Sequence, residues 1–348
     1  MGTYTFDLHT HLLEKKQRPE KLWLRAEEVG LDGIAITEHA DVGAAEAYSR
    51  MRECKPRGML LIPGIEINSD MGHVLAYSES PEIYEIAELL EEKVPLERLL
   101  EISGEENILL SISHPWGFNY DSFGFLMGDE DLGRLVRKGG IGVEMYNGIV
   151  GQVQDFVAGS GLIKRPRNFF EFLGNNRVTK KVGLYKVGNK VVEKIDEKSG
   201  ALFERAVKTM ELADMADFIT AGSDAHIAER VGSGVIKINS RREMDNRKML
   251  KELAAKENVI WAGPLVKESG KNEFESVQGP ITRKEMLEGL KYITTSAVGK
   301  AKVGKRIKGT LGRAKVRERL GNAKSRIRNA NVRERISRTF KKAGRKKG

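Results

Sequence analysis

Asp7-Leu8-His9-Thr10-His11 ends a short apolar segment that predicts a β-strand close to the start of the chain. Side chains alternate along a strand with a period of two, so this spacing places Asp7, His9 and His11 on one side of the extended backbone. Imidazole and carboxylate groups that converge in this way are the donors that transition metals bind. The stretch therefore predicts that metal-binding side chains lie where the first strand ends.

Short apolar runs alternate with amphipathic stretches over the first 240 residues. This alternation indicates parallel strands joined by helices, and hence an α/β sheet or barrel. Strands are predicted at residues 4–8, 33–37, 59–67, 73–77, 108–113, 141–146, 218–221 and 235–238. Helices are predicted at residues 19–29, 44–52, 82–92, 96–103, 204–215, 244–256 and 283–292.

The pattern breaks after residue 148, which predicts an insertion over about 149–200 with a β-hairpin at 182–195. We assign residues 1–297, with this insertion, to one barrel domain. Residues 298–348 are predicted to form a basic tail of short amphipathic helices, or a disordered tail. The tail contains a weak repeat, because the pattern Val-Arg-Glu-Arg followed by an aliphatic residue occurs at 316–320 and again at 332–336.

Charge divides the 348-residue chain into two unequal parts. Its net charge is +10, but residues 300–348 carry 20 Lys and Arg against 2 Asp and Glu, a net charge of +18. The preceding residues have 39 basic and 47 acidic side chains, a net charge of −8. A tail of this charge predicts binding to nucleic acid by counterion release. An anionic membrane surface and a solubilising tail without a partner remain alternatives.

Composition also excludes some classes of protein. The chain has no run of 18 apolar residues, so no ordinary membrane-spanning helix is expected. Its first residues lack the basic stretch and apolar core of a secretory signal. The one cysteine, Cys54, cannot form an intramolecular disulfide and is typical of a reducing compartment. We therefore expect a cytoplasmic protein.

All six histidines lie at or near ends of predicted strands: His9, His11, His39, His73, His114 and His226. Parallel barrels gather the residues at the carboxyl ends of their strands on one rim. A mixed imidazole and carboxylate set suits zinc, manganese or iron better than calcium or magnesium. More ligands than one ion needs suggest two or more ions, and paired ions support phosphoryl transfer to a hydroxide nucleophile.

Six short motifs occur in a fixed order along the first 240 residues: 7–11, 36–39, 64–67, 72–77, 113–115 and 222–226. In this order the chain resembles the PHP family, named for polymerase and histidinol phosphatase. The resemblance implies a distorted (β/α)7 TIM-like barrel, two or three metal ions at the strand ends and hydrolysis of phosphoesters. It also implies the metal ligands His9, His11, Glu66, His73, His114, Asp224 and His226.

Further roles follow from the same resemblance. His39 matches a position that binds metal or phosphate, and Glu144 matches a carboxylate that supports the site. His39 or His226 is expected to protonate the leaving oxygen. The predicted catalytic residues are therefore His39, Asp224 and His226, and the predicted supporting residues are Asp7, Glu38 and Glu144.

The chain departs from the family pattern at two places. Family members often carry an aspartate or histidine five or six residues after the second motif histidine, where this chain has Lys16 and Gln17. Glu14 is the nearest carboxylate, and it replaces that ligand only if the loop bends back. Glu38 stands where the family usually has an aspartate before His39.

We therefore expect a metal-dependent phosphoesterase that uses metal-activated hydroxide on phosphate esters, with nucleotides or nucleic-acid ends as substrates. Alternatives are a catalytically impaired barrel that acts as a nucleic-acid-associated binding module, and a small-molecule phosphatase of the histidinol-phosphatase type. A metal-dependent amidohydrolase is disfavoured, because the strand motifs at 108–114 and 141–148 contain no metal-bridging lysine. Asn147 is expected either to bind substrate or to form a turn before Gly148.

Overall fold

The computed structural model describes residues 2–117, 122–150, 189, 204–205, 207–262, 266–270 and 273–276. Most of the predicted insertion at 149–200, including most of its hairpin, lies outside the described residues. The predicted helix at 283–292 and the basic tail at 298–348 also lie outside them. No helix of the described part is long and apolar enough to cross a membrane.

Seven strands follow one another around a sheet that nearly closes into a barrel. They are β1 (Gly2–Thr10), β2 (Gly33–Ile36), β3 (Leu60–Ser69), β4 (Gly72–Tyr77), β5 (Leu109–Ile112), β6 (Gly142–Asn147) and β7 (Ile219–Gly222). The segment after β7 returns to β1: the N–H of Asp224 donates to the carbonyl of His9 at 2.7 Å, and the N–H of His11 to that of Ala225 at 2.9 Å. This closure confirms the predicted α/β barrel.

Strand β4 runs antiparallel to both of its neighbours, β3 and β5. The prediction that all these strands pair in parallel is therefore wrong at this point. Only Asp70 and Met71 separate β3 from β4, and a parallel pair needs a crossover of a dozen or more residues. The reversal brings the start of β4, with His73, to the edge where the parallel strands end.

Four further strands extend the structure beyond the barrel. β8 (Val235–Ser240) pairs antiparallel with the first half of β1, and β9 (Val259–Ala262) pairs antiparallel with β8. β10 (Val266–Gly270) and β11 (Glu273–Ser276) form a separate antiparallel pair. The sequence predicted β8 but none of the other three.

The helices are α1 (Pro19–Glu28), α2 (Ala44–Glu53), α3 (Leu96–Glu106), α4 (Phe123–Leu126), α5 (Asp129–Arg137) and α6 (Asn246–Ala255), with a further helical segment at 207–215. The helix predicted at 82–92 is wrong, because this stretch forms two 3-10 turns, Pro81–Glu85 and Ala87–Leu90. Ile86 between them is extended. The buried side chains of this stretch, Ile83 and Leu89, lie six residues apart, which is not the spacing of one α-helical face. Helices α4 and α5 were not predicted.

Helices α1 and α2 pack over β2 and fix the strands that carry the rim. Leu22 and Trp23 of α1 and Met51 of α2 are buried in one cluster with Ile34 and Ile36. Each such side chain contributes about 1.5–3 kcal/mol of hydrophobic free energy when it is fully buried. The indole N–H of Trp23 also donates to the carbonyl of Met51 at 2.9 Å, which ties the two helices together.

The pairing of β1 with β2 is irregular next to the histidines. Asp7 pairs with Ile34 and Thr10 with Ile36, so β1 uses one residue more than β2 over this stretch. Bulges of this kind redirect side chains beside functional sites. His9 and His11 nevertheless lie on the same side, as their spacing predicts, with their Nε2 atoms 3.1 Å apart, whereas the carboxylate of Asp7 faces the backbone of Ser223 and Gly232.

Candidate metal centre

Imidazole and carboxylate side chains from around the barrel converge on one rim. His9 and Glu66 lie within β1 and β3, His73 at the start of β4, and Glu144 within β6. The remaining members follow directly after strands β1, β2, β5 and β7: His11, Glu38, His39, His114, Asp224 and His226. The structure thus brings together all seven predicted metal ligands, as well as His39, Glu38 and Glu144.

Glu66 lies at the middle of this cluster, and its side chain is almost fully buried. The N–H of Glu66 donates to the carbonyl of Glu38, which holds β3 beside the end of β2. The hydroxyl of Ser113 donates to Oε1 of Glu66 at 3.0 Å. Ring nitrogens surround both oxygens: Oε2 lies 3.3–3.4 Å from those of His9, His11 and His39, and Oε1 lies 3.0–3.3 Å from those of His73 and His114.

The Nε2 atoms of His9 and His11 lie close to each other, to Oε2 of Glu66 and to Oδ1 of Asp224. Five of their six separations are 3.1, 3.2, 3.3, 3.4 and 3.6 Å. A tetrahedral zinc ion with bonds of 2.0–2.2 Å has donors about 3.3–3.6 Å apart. The donor types and these separations fit a divalent transition metal, which His9, His11 and Glu66 would hold with Asp224 beside the two rings.

Two further groups of three potential ligands overlap with this set. His39 and His73 form one with Glu66, and His39 forms the other with His11 and His226. In each group the candidate ligand atoms lie within 4.8 Å of one another. Because the groups share His11, His39 and Glu66, they form one continuous metal-binding centre.

Buried carboxylates orient two of the rings from behind. Oε1 of Glu144 lies 2.8 Å from Nδ1 of His9, and Oε1 of Glu38 lies 3.3 Å from Nδ1 of His11. Both contacts leave Nε2 of the ring turned toward Glu66. A carboxylate that accepts the other ring N–H of a metal-binding histidine fixes its tautomer and raises its basicity.

Asn147 is a positioning residue, which is a role that the sequence reasoning did not assign to it. Its Nδ2 donates to Oε2 of Glu144 and to Oδ2 of Asp224, each at 3.1 Å. Its Oδ1 accepts the N–H groups of Ile149 and Val150, which is the turn role that the sequence allowed. The sequence signal was its place at the end of β6, on the same rim as the histidines.

Asp7 supports the centre through the backbone. Its carboxylate accepts the N–H groups of Ser223 and Gly232, each at 2.8 Å, and so ties β1 to the segment that carries Asp224 and His226. Burial raises the pKa of Asp7 to about 6, although these hydrogen bonds oppose the shift.

Two of the predicted ligands have strained backbones. His114 has φ +27° and Asp224 has φ +53°, in a region that residues other than glycine seldom occupy. Such strain persists only where the surroundings hold it, and it is concentrated at functional sites. The N–H of His114 donates to Oε2 of Glu144 at 2.7 Å, which is one such restraint.

The charges of the centre are mutually dependent. Burial opposes the charged form of His9, but Asp224, Glu144 and Glu66 outweigh it and raise its pKa well above the usual value. The same balance raises the pKa of His11 and of His114 to about 9. His39 differs, because burial lowers its pKa despite the charge of Glu66. A bound cation would take the place of the protons that the raised pKa values imply.

The loop after β1 does bend back. Oε2 of Glu14 lies 2.5 Å from Nε2 of His226, although Glu14 is only three residues beyond His11. The hydrogen bond with the imidazole of His226 and the ammonium group of Lys15 lower the pKa of Glu14 to about 2, although partial burial opposes the shift. His226 and Glu14 are 23% and 32% exposed, so this edge of the centre faces solvent, whereas His9 is fully buried.

Two family models match the segments of the chain that carry this centre. The family model described as "PHP domain" matches residues 7–149, and the one described as "PHP-associated" matches residues 218–258. Among solved structures, PsfC from Pseudomonas syringae PB-5123 shares 15% identity over 87% of this chain and 100% of its own, with a TM-score of 0.46. A proposed metal-dependent phosphoesterase from Bifidobacterium adolescentis ATCC 15703 shares 15% identity over 72% of this chain and 96% of its own, with a TM-score of 0.36. No curated protein matched the chain.

Proposed function

The chain belongs to the PHP family of metal-dependent phosphoesterases, and from this premise we propose that it hydrolyses phosphate esters of nucleotides or of nucleic-acid ends. The observation that supports hydrolysis most directly is the convergence of the imidazole nitrogens of His9 and His11 on carboxylate oxygens of Glu66 and Asp224, at 3.2–3.6 Å. Divalent zinc, manganese or iron ions bound here would supply Lewis acidity toward the phosphoryl group and a hydroxide nucleophile near neutral pH.

The chain's own residues have distinct tasks in this proposal. Glu66 offers both oxygens to ring nitrogens on its two sides, so it holds the two halves of the centre at a fixed distance. His39 and His226 are partly exposed at the solvent-facing edge of the centre. This position suits a side chain that delivers a proton to the leaving oxygen. Asp224 places Oδ1 beside the rings of His9 and His11, while Asn147 donates a hydrogen bond to its Oδ2.

A direct test compares metal-depleted and metal-reloaded protein on p-nitrophenyl phosphate, nucleoside monophosphates, histidinol phosphate and oligonucleotides with 5′ or 3′ terminal phosphate. We expect hydrolysis only after reloading, and its loss in the His9→Ala, His11→Ala double variant. Glu53→Gln is the matched control, because Glu53 is exposed at the end of α2. Full activity in the double variant would contradict the proposal. Preference for histidinol phosphate would favour the small-molecule alternative.

The nucleic-acid part of the proposal rests on the charge of residues 300–348. A net charge of +18 has no evident use on a small soluble substrate but suits a polyanion. We expect the full-length protein to bind single-stranded oligonucleotides with an affinity that falls steeply as salt rises. Binding without hydrolysis by metal-loaded protein would favour the binding-module alternative, and salt-independent or undetectable binding would contradict a nucleic-acid partner.

A further inference from the structure

The hydroxyl group of Tyr84 reaches the backbone of strand β3 two residues before Glu66. Its oxygen accepts the N–H of Gly64 at 3.1 Å, and its proton is donated to the carbonyl of the same residue, also at 3.1 Å. Burial raises the pKa of Tyr84, so the hydroxyl keeps the proton that it donates. One side chain therefore pairs with both backbone groups of Gly64.

Gly64 lies where β3 changes its pairing partner. The residues of β3 up to Pro63 pair in parallel with β2, and those from Gly64 onward pair antiparallel with β4. Beyond the end of β2, His39 forms an isolated bridge with Glu66. Tyr84 therefore holds β3 between its last residue paired with β2 and the bridge that joins two potential metal ligands.

The chain after β4 is folded so that it returns over this point of β3. The N–H of Ser78 donates to the carbonyl of Pro63 at 3.1 Å, and the 3-10 turn Pro81–Glu85 follows. The ring of Tyr84 then packs against two of the buried apolar clusters and lies 5.2 Å from the ring of Tyr48 in α2. This packing fixes the direction in which the hydroxyl points.

Filling space does not account for the hydroxyl group. A phenylalanine would pack against the same clusters without bringing a polar atom to β3. The backbone at Gly64 is also crowded, because a Cβ there would lie 2.9 Å from Cγ2 of Thr37 and 3.2 Å from the carbonyl oxygen of Ala76. Residues 64–66 are buried, and close-packed interiors transmit strain, so a displacement of Gly64 would be passed to Glu66.

The position of Glu66 matters because its two oxygens face different rings. Oε2 lies 3.4 Å from Nδ1 of His39, and Oε1 lies 3.0 Å from Nδ1 of His73. These three side chains form one of the groups of potential metal ligands. A shift of the β3 backbone would change the separations on both sides of the carboxylate at once.

We propose that Tyr84 is a positioning residue of the metal centre, whose hydroxyl holds β3 at Gly64 and so sets the place of Glu66 between the rings. Tyr84 touches neither metal nor substrate in this role and acts through Glu66. The inference rests on the proposed metal-dependent function, but it concerns metal affinity and does not depend on which ester is cleaved.

The test compares Tyr84→Phe, which removes one oxygen atom and keeps the ring, with the same change at Tyr48. Tyr48→Phe is the matched control, because the two rings are neighbours and the hydroxyl of Tyr48 makes no hydrogen bond with the described residues. Full-length proteins are depleted of metal and titrated with manganese in competition with a chelator. We expect Tyr84→Phe to bind the ion about three- to tenfold more weakly, the fold-change of one neutral hydrogen bond, and Tyr48→Phe to match wild type.

A role of Tyr84 in stability alone leads to a different result. It would destabilise metal-free and metal-loaded protein equally, so the dissociation constant measured on folded protein would not change. Thermal unfolding of metal-free protein shows whether each variant is folded. The visible absorption of cobalt-loaded protein is a second readout, because its bands depend on ligand geometry, and we expect Tyr84→Phe to alter them and Tyr48→Phe to leave them as in wild type.

Wild-type manganese affinity and an unchanged cobalt spectrum in folded Tyr84→Phe would overturn the inference. A Tyr84→Phe protein that does not fold at all would also overturn it, since the hydroxyl would then be required for the fold and not for the place of Glu66. Weaker metal binding by folded Tyr84→Phe, together with a wild-type protein that cleaves no ester, would refute the proposed function and leave this inference standing.

Discussion

Replacing Glu144 by glutamine tests whether the carboxylates behind the histidines control metal affinity. Glu144 is buried and accepts three N–H groups, from the ring of His9 at 2.8 Å, from the backbone of His114 at 2.7 Å and from the amide of Asn147 at 3.1 Å. Glutamine keeps the size of the side chain but has only one oxygen. Whichever way its amide is turned, its NH₂ group faces either His9 or His114.

Both orientations of the glutamine amide are expected to weaken metal binding, although for different reasons. If the NH₂ group faces the backbone of His114, two donors oppose each other in a buried site. If it faces His9, the ring must accept at Nδ1 and carry its proton on Nε2, the atom turned toward Glu66. A buried donor without an acceptor costs about 1–3 kcal/mol, which corresponds to about 5–150-fold in a dissociation constant. We therefore expect metal to bind about ten- to a hundredfold more weakly.

Chelator competition with zinc or manganese measures this change. The control is Glu53→Gln, which makes the same chemical substitution on an exposed residue. Thermal unfolding of metal-free protein shows whether Glu144→Gln remains folded, so that a loss of affinity is not confused with a loss of structure. A folded Glu144→Gln protein that binds metal within twofold of wild type would refute the argument that Glu144 fixes the tautomer of His9.

Three further outcomes follow from the structure. Gly222→Ala should lower the thermal unfolding midpoint and the metal content, because the new Cβ would lie 2.3 Å from Cβ of His9. Gly104→Ala is the control in helix α3. Its new Cβ would have no neighbour within 4 Å, so this change should raise the midpoint slightly. Metal binding at pH 7.5 should release about three protons, since the pKa values of His9, His11 and His114 are all raised, those of His11 and His114 to about 9. Calorimetric heats of binding that do not depend on the buffer would contradict this. The folded protein holds the proton of Asp7 up to its raised pKa of about 6, so wild-type protein should lose up to about 3 kcal/mol of unfolding free energy between pH 4 and 6. Asp7→Asn should remove this loss. If the unfolding free energies from urea titrations change with pH in the same way in both proteins, this prediction is contradicted.

The sequence was informative wherever a local pattern was tied to a fixed position in the fold. Apolar runs predicted the barrel strands, and the histidines marked their rim ends, because a parallel barrel places those ends together. The direction of β4 was not recognised, although the two-residue link between β3 and β4 excludes a parallel pair. The turns at 81–90 were predicted as a helix because composition alone does not show that Ile86 is extended.

Contacts between distant segments account for most of what the sequence did not reveal. Asn147 reaches Asp224 only because β6 and β7 are neighbours, and Glu14 reaches His226 only because the barrel closes between β1 and β7. The bulge after Asp7 is likewise a property of the pairing between β1 and β2. Neither spacing nor residue type carries this information, since each contact joins positions that are brought together only by the folded sheet.

The charge balance of the rim explains how so many titratable side chains can be buried together. Three carboxylates in it have lowered pKa values, Glu38, Glu66 and Asp224, and three imidazoles have raised ones, His9, His11 and His114. A buried carboxylate without a partner would be strongly destabilising, but here each lies within hydrogen-bonding reach of a ring that can hold a proton. Protons can thus serve as the counter-charges until a cation replaces them, so we expect the barrel to fold without metal and metal binding to weaken as the pH falls.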